Sequence, residues 1–292
     1  MPRSIPLPVP DAVGIYGFPA ALDIAHQAWL DELAGIVGVL ELDAPHGGDH
    51  YCMAPRQPSG RPVLVIEPHH DDFILSASGS MLVRPAPLTI VTVFARSASV
   101  HPLLSTTYAS IESVSALRRA EATQSLRPFG AEHIRLGYKD ADPPYAPYDD
   151  AVLDDVVERL RWVVEQLPEA ELLAPAAVTR HPDHLLVHEA ARRLGCRWFW
   201  EDVAFWPTYA LGSDDRHLFD LRTRNTLVPE LVDITSAVLD KLTLLRLHAS
   251  QMQPLVSMYR PIRHAWTTAA ALRDGDPCAL YAERFYRSEE PT

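Results

Sequence analysis

From residue 62 onward, short apolar segments alternate along the chain with longer segments of helical periodicity. The short segments, such as VLVIE and LTIVTVFA, are rich in β-branched residues and are typical of buried parallel strands. They cover residues 63–67, 88–95, 133–137, part of 171–178, and 198–206. The helical segments cover residues 76–82, 110–129, 151–167, 183–195 and 236–252. Strands separated by helices predict an α/β fold with a Rossmann-like, mostly parallel sheet flanked by helices.

Residues 1–60 differ from this pattern. A proline-rich start is followed by a segment of helical periodicity over residues 21–42 and then by a loop rich in glycine and proline. A segment of about sixty residues is barely long enough to fold alone. We therefore expect residues 1–60 to form an N-terminal helical extension that packs on one catalytic domain over residues 61–292. The chain does not begin with the apolar segment of a secretory signal, so we expect a cytoplasmic protein.

The composition argues against several classes of function. The 38 Asp and Glu residues outnumber the 26 Lys and Arg residues, which gives a net charge of −12. Proteins that bind nucleic acids or anionic membranes usually present basic patches instead. The three cysteines are too few for a disulfide framework, and the chain has no stretch of about 18 apolar residues that would span a membrane. We expect a small-molecule substrate, no nucleic-acid partner and no membrane span, and the sequence leaves a homo-oligomer open.

The first segment that indicates chemistry is EPHHDDF, which directly follows the predicted strand 63–67. It places His69, His70, Asp71 and Asp72 where a buried strand leaves the core. Two adjacent carboxylates repel each other unless a cation lies near, and imidazole with carboxylate is a ligand set typical of zinc, ferrous iron or manganese. The alternative is that an aspartate caps the following helix and the histidines are exposed.

The second such segment is TRHPDHLLVHEA, which also follows a predicted strand. Pro182 suits the first turn of a helix, and His181 and His184 are spaced to share one helix face. By itself, this pattern is also typical of a helix start with incidental histidines. In a parallel sheet, however, ligands bind at the carboxyl ends of strands, where both segments lie. Together they supply two histidines and a carboxylate for a metal, with one carboxylate and one histidine left as an acid/base pair.

The HHDD segment at 69–72 and the HPDH segment at 181–184 together resemble the PIG-L/LmbE-like N-acetylglucosaminyl deacetylase family, whose motifs usually read HPDDE and HPDH. The resemblance extends over about residues 62–286. Further matching positions are Gly79, Arg118, Glu121, Asp140, Glu201, Asp202, Lys241, His248 and Glu283. Two positions depart from the motif: residue 70 is His instead of Pro, and residue 73 is Phe instead of Glu. We expect these departures to alter the surroundings of the metal site without removing a ligand.

The resemblance implies a metal-dependent hydrolase. The implied metal ligands are His69, Asp72 and His184, and the implied metal is Zn²⁺, with Fe²⁺ or another divalent ion as alternatives. Asp71 would act as the general base, and His181 would stabilise the oxyanion, with Asp183 orienting His181 and raising its pKa. The sequence leaves open whether Asp71 or His181 protonates the leaving amine.

Four further residues are candidates for substrate binding. Arg96 and Ser97 follow a predicted strand and suit the rim of a site, while the family resemblance favours Asp140. Arg118 lies on a helix near Glu121, so a surface ion pair is its main alternative. The remaining histidines without a supporting cluster are expected to be structural or exposed, and they are His101, His133, His217 and His264. His248 is expected to be a core histidine.

The sequence therefore predicts an N-deacetylase that removes an N-acyl, in the first place N-acetyl, group from an amino-sugar-containing small molecule or glycosylated natural product. One alternative is an amidase that acts on a larger conjugate. Another is a catalytically silent sugar-binding protein on the same fold, although retention of Asp71 argues against it. A dinucleotide-binding protein and a serine hydrolase are disfavoured because the chain has neither G-x-G-x-x-G after a strand nor G-x-S-x-G.

Overall fold

The structure is a computed structural model. It describes residues 58–100, 104–105, 107–142, 145–178, 181–203, 227–251, 256–273 and 275–289, with the side chains of all of these except 256–260. The predicted extension over residues 1–60 lies almost entirely outside this range, so its helix and its packing stay predictions. The division at residue 60 stays a prediction as well.

A seven-stranded sheet forms the centre of the described chain. Its strands are β1 (Val63–Glu67), β2 (Leu88–Thr92), β3 (Glu132–Arg135), β4 (Glu171–Pro175), β5 (Trp198–Trp200), β6 (Leu227–Asp233) and β7 (Ala282–Ser288). The spatial order is β3-β2-β1-β4-β5-β7-β6. Strands β1 to β5 pair in parallel, whereas β7 is antiparallel to both β5 and β6. The mostly parallel, Rossmann-like sheet predicted from the sequence is confirmed.

Helices connect the strands and cover both faces of the sheet. They are α1 (Asp72–Ser76), α2 (Ser78–Val83), α3 (Ile111–Leu126), α4 (Asp150–Gln166), α5 (Pro182–Arg193), α6 (Val238–Arg246), α7 (Val256–Thr268) and α8 (Ala270–Arg273). Short 3₁₀ turns follow α3 and precede α6. Within the described ranges, none of these helices has the length and apolar character that a membrane crossing requires.

Two apolar layers pack on the sheet, one on each face. Consecutive strand residues point to opposite faces, so Leu64 belongs to one layer and Val65 to the other. Val65 packs in the layer that includes residues of α1, α2 and α6, whereas Leu64 packs with residues of α4 and α5. Burial on both faces explains why β1 reads as a continuous apolar run.

Some predicted strand ends were wrong, and two strands were not predicted. β2 ends at Thr92 and β5 at Trp200, each earlier than the apolar pattern suggested. The antiparallel strands β6 and β7 carry several charged residues and therefore lack the apolar pattern of the parallel strands. Their polar side chains are paired: Glu283 of β7, for example, accepts hydrogen bonds from Gly79 and Ser80 at the start of α2.

The strand order reverses between β1 and β4, which are neighbours in the sheet. The connection after β1 leads to β2 on one side, while the connection after β4 leads to β5 on the other. The two connections therefore diverge and leave a crevice at the carboxyl ends of these strands, where open α/β sheets bind ligands. The two histidine-rich segments lie at this crevice.

Candidate active site

Each of the two segments runs into a helix that begins within it. In the first, Leu75 donates its backbone N–H to the carbonyl of Asp71 at 2.9 Å, and α1 begins at Asp72. In the second, His181 is the N-cap of α5, and its Nδ1 accepts the backbone N–H of Asp183 at 3.3 Å. Pro182 occupies the first turn, where a missing N–H costs nothing. These helix starts direct the side chains of both segments into the crevice.

The structure brings the three predicted metal ligands together. Oδ2 of Asp72 lies 3.1 Å from Nδ1 of His69 and 3.4 Å from Nε2 of His184. One potential ligand atom from each residue lies within 4.8 Å of the others, and Asp72 and His184 are buried. Two imidazole nitrogens and a carboxylate facing one point form a group that could hold a divalent metal ion.

Two further carboxylates orient the histidines of this group. Nε2 of His69 donates to Oδ2 of Asp183 at 2.7 Å, and Nδ1 of His184 donates to Oδ1 of Asp202 at 2.5 Å. Since a carboxylate only accepts, these contacts place a ring proton on each outer nitrogen and leave the inner nitrogens, which face Asp72, as the atoms that a metal would bind. Histidines that bind metals are usually held in this way by an outer carboxylate.

The charges of the group also favour a cation. Burial alone would raise the pKa of Asp72, but His184 and His69 outweigh it and hold the pKa below its ordinary value. Burial alone would lower the pKa values of both histidines, yet the neighbouring carboxylates raise them. Without a metal, the carboxylates therefore draw protons onto the histidines, and a metal ion would take the place of this positive charge.

The predicted base, Asp71, is bound by a buried arginine. Nη2 of Arg118 donates to Oδ1 of Asp71 at 2.9 Å, and Nη1 donates to the hydroxyl of Ser97 at 2.8 Å. The Ser97 hydroxyl donates in turn to Asp140. The alternative of a surface ion pair for Arg118 is therefore wrong, because the side chain is buried and joins Ser97 and Asp140 to the base. Arg96 is exposed beside this network and pairs with Lys139 through its backbone.

His181 is neutral in this environment. Burial, together with the neighbouring His69 and His184, lowers its pKa to about 3. Asp183 raises the pKa of His181 as expected, but its effect is outweighed, because Asp183 bonds His69 and lies 3.8 Å from Nδ1 of His181. Since that Nδ1 accepts the Asp183 N–H, the ring proton is on Nε2, which can donate to a developing oxyanion.

Sequence reasoning assigned no role to two residues that the structure adds to the site. Tyr148 donates its hydroxyl to Oδ1 of Asp183 at 2.9 Å, and its ring stacks on Phe94. The signal for Tyr148 was weak, because its segment suggested only a rim. Asp202, which orients His184, had a signal in the family resemblance, but spacing alone could not show which histidine it would contact.

A second buried polar cluster lies beneath α1. The hydroxyl of Thr92 donates to Glu67 at 2.6 Å and lies 3.3 Å from Nδ1 of His70 and 2.7 Å from Nε2 of His133. Glu67 also accepts the backbone N–H of Phe73 at 3.1 Å. Burial raises the pKa of Glu67 to about 8 and lowers that of His133 to about 4. His133 was expected to have no supporting cluster, and that expectation was wrong.

The other histidines divide as follows. His248 is buried and its Nε2 contacts the hydroxyl of Ser125 at 2.9 Å, as expected for a core histidine. His264 pairs with Glu201 at 3.2 Å. His101 and His217 lie outside the described residues.

Comparison with known proteins identifies relatives of this chain. The family described as PIG-L: GlcNAc-PI de-N-acetylase matches residues 64–194. A 2'-N-acetylparomamine deacetylase of Streptomyces fradiae is 34% identical over 212 residues, which are 64% of this chain and 72% of the relative. This identity over most of the relative's length shows common family membership.

Solved structures share the fold. The A40926 pseudoaglycone deacetylase superposes with a TM-score of 0.57 at 23% identity, over 78% of this chain and 96% of its own. The zinc-inhibited form of teicoplanin deacetylase superposes with a TM-score of 0.56 at 18% identity, over 79% and 100% of the two chains. The family resemblance and the hydrolase class predicted from the sequence are confirmed. The chain belongs to the PIG-L family of de-N-acetylases and is a hydrolase that removes N-acetyl groups.

Proposed function

We propose that the protein removes the N-acetyl group from an amino sugar of a small natural product, with a zinc ion held by His69, Asp72 and His184. The observation that carries the proposal is the arrangement of the two histidines. Asp183 and Asp202 hold their outer nitrogens, so both inner nitrogens face Asp72. When bound there, the metal supplies Lewis acidity to the amide carbonyl and to water.

Asp71 is the residue we assign as general base. Arg118 holds Oδ1 of Asp71, which orients the carboxylate at the end of the HHDD segment. Asp71 takes a proton from the attacking water as the water oxygen bonds to the acetyl carbon. It then delivers this proton to the amine nitrogen as the C–N bond breaks, which releases acetate and a free amino sugar. Because His181 is neutral, Asp71 is the better donor for this second transfer.

His181 stabilises the tetrahedral intermediate in this proposal. Its Nε2–H donates a hydrogen bond to the oxygen that carries the developing negative charge, and the backbone N–H of Asp183 fixes the ring. A neutral imidazole serves this role without a charge that the buried site would have to solvate. Asp183 itself acts through His69, which it orients, and Tyr148 holds Asp183 from the other side.

The substrate proposal draws on the relatives and on the space beside the site. The relatives named above are deacetylases of N-acetylparomamine, of the A40926 pseudoaglycone and of teicoplanin. A cavity of about 340 Å³ adjoins the second loop, with Tyr145, Tyr148 and Pro182 among its lining residues. It offers room for a part of the substrate beyond the N-acetylated sugar. Arg96, exposed at the rim, is the candidate contact for sugar hydroxyls.

The sequence expectation of a cytoplasmic location is part of this proposal, and cell fractionation tests it. Whether the chain forms a homo-oligomer is measured directly by light scattering of the purified protein.

The test combines metal analysis with an amine-release assay. We expect about one divalent metal per wild-type chain, with amine released from 2'-N-acetylparomamine or another N-acetylated amino glycoside. Asp71→Asn should retain the metal and lose amine release by about 10³-fold, because the base is removed while its shape is kept. His184→Ala should lose both the metal and the activity. Zinc, iron and cobalt should be compared, because one structural relative was solved in a zinc-inhibited form.

Two outcomes contradict the proposal. Wild-type protein that takes up no divalent metal would overturn the metal site. Full metal content without amine release from any N-acetylated sugar or glycoside would overturn the deacetylase assignment and favour the silent sugar-binding alternative. Cleavage of larger amide conjugates alone would favour the amidase.

A further inference from the structure

His70 and Phe73 depart from the family motif, and both belong to the polar cluster around Thr92 or contact it. We propose that Glu67 is a positioning residue that fixes the start of α1, and with it His69 and Asp72, in place of the glutamate that the family motif carries at position 73. The inference rests on the proposed metal site, since it concerns residues that hold the ligands in place.

Glu67 joins three parts of the fold. It is the last residue of β1 and lies opposite Thr92 of β2 in the parallel register. One carboxyl oxygen accepts the Thr92 hydroxyl at 2.6 Å, and the other accepts the N–H of Phe73 at 3.1 Å. Only 1% of Glu67 is exposed. A single carboxyl group therefore links the end of β1 to the neighbouring strand β2 and to the start of α1.

The contact with Phe73 takes over a capping role at α1. Asp71 is the N-cap residue of this helix, but its side chain accepts no capping hydrogen bond and binds Arg118 instead. A first-turn N–H that lacks a partner in the interior costs free energy. Because Glu67 accepts that N–H from below, Asp71 keeps its orientation toward Arg118 and the crevice.

His70 replaces the proline of the family motif and ties the same segment down by a different means. Its Nδ1 lies 3.3 Å from the Thr92 hydroxyl, so the loop is bonded to β2 where proline would restrict the backbone directly. Nε2 of His70 is buried and has no hydrogen-bond partner among the described residues. Burying a nitrogen without a partner costs free energy. Packing alone therefore does not explain a histidine at this position, whereas the contact of Nδ1 with Thr92 does.

Phe73 explains why the carboxyl group must come from elsewhere. Its side chain is fully buried, and its ring packs against Phe129 with centroids 5.3 Å apart. An apolar ring at this position fills the layer beneath α1. The family motif carries a carboxyl group at position 73. In this chain Glu67, at the end of β1, supplies a carboxyl group instead, and its Oε2 accepts the backbone N–H of Phe73.

The cluster has the composition of a second metal site, since Glu67, His70 and His133 each offer a ligand atom within 4.8 Å of the others. The hydrogen bonds argue against that use. Arg135 donates to Nδ1 of His133 at 3.0 Å, so the His133 proton is on Nε2 and points to Thr92. The Thr92 hydroxyl thus occupies the centre of the cluster. We therefore expect one metal per chain.

The experiment measures zinc affinity by competition with a chelating dye, together with the visible spectrum of the Co²⁺-loaded protein. Glu67→Ala should weaken zinc binding about 10- to 100-fold and shift the cobalt bands, as loss of residues that orient ligands does. Glu67→Gln keeps the shape and one acceptor and should remain within about threefold of wild type. Thr92→Val, which removes the partner hydroxyl without changing charge, should weaken zinc binding in the same direction.

Glu121→Ala is the matched control. Glu121 is also buried, and it accepts hydrogen bonds from the backbone and hydroxyl of Ser250 and not from a proposed metal ligand. Its loss should lower the unfolding temperature while zinc affinity stays within about threefold of wild type. If Glu67→Ala and Thr92→Val both bind zinc like the wild type with an unchanged cobalt spectrum, the inference is overturned and the proposed function stands. If the wild type binds no zinc or cobalt, both fail.

Discussion

At the scale of single residues, the geometry of the candidate metal site is set both by the three proposed metal-binding residues and by the side chains that hydrogen-bond to them. Asp72 is approached by two histidines, and each histidine is held by its own carboxylate, Asp183 or Asp202. The predicted ligands could be chosen from the sequence because they lie in two short segments. Their orientation could not, because Asp183 lies in the same HPDH segment as His181 but bonds His69, 114 residues away in the chain.

The role of Asp202 leads to a direct prediction. Asp202→Asn should weaken metal binding about 10-fold or more, because the amide can present its N–H₂ to His184 and no longer stabilises the ring tautomer that faces Asp72. Dye competition and metal analysis measure the change. Asp155→Asn is the control, since Asp155 is a carboxylate at the surface that bonds Tyr138 and Arg159. Equal zinc affinities in wild type and Asp202→Asn would contradict the role of Asp202.

At the scale of elements, helices α2 to α6 and the parallel strands followed from local periodicity, while helices α7 and α8 and the antiparallel strands did not. β7 carries Glu283 and Arg284, which on sequence alone suggest a surface segment. Both are paired in the fold: Glu283 with Lys241 of α6, and Arg284 with Glu201 at 3.0 Å. Buried charges are tolerated where such partners exist. A strand of this kind is recognisable only after its partners are known.

The close contact between α2 and β7 at Gly79 predicts that adding a methyl group there destabilises the fold. Gly79 donates its N–H to Glu283 at 2.9 Å, and a Cβ at this position would lie 2.8 Å from both Oε1 of Glu283 and Cδ1 of Ile234. Gly79→Ala should therefore lower the free energy of unfolding by about 1–3 kcal/mol, measured by urea denaturation. Gly275→Ala, whose Cβ would have its nearest neighbour at 3.8 Å, should change it by less than about 0.5 kcal/mol. Equal losses in the two variants would rule out the close packing at Gly79.

At the scale of the whole molecule, the strand order positions the chemistry. The reversal between β1 and β4 brings two loops to one crevice although more than 100 residues of sequence separate them. On the face of the sheet below that crevice, polar groups such as Glu67, Arg118, Glu121 and His248 are buried. Burying so many ionisable groups makes the stability of the fold depend on pH.

His248 provides a test of this dependence. Burial lowers its pKa to about 4 from an ordinary value of 6.5, and the nearby charges of Asp71, Arg118 and Asp72 modify the shift. Between pH 6.5 and 4 the unfolded chain takes up a proton at this residue that the folded protein does not. Stability should therefore fall as the pH falls through this window, by up to about 1.4 kcal/mol per pH unit from this residue. In His248→Gln, urea denaturation between pH 4.5 and 7 should show a shallower dependence, and an unchanged slope would contradict the assignment.

The sequence by itself determined the alternation of the parallel strands with helices α2 to α6, the two segments that carry the proposed metal ligands, and the family, because periodicity and motifs are carried by residues close together in the chain. Only the tertiary structure decided which carboxylate orients which histidine, that Arg118 is buried against Asp71, and that Glu67 supports the HHDD segment from β1. These contacts join residues of different elements. Their partners are selected when the sheet assembles and packing excludes water, and neither process leaves a periodic signal in the sequence.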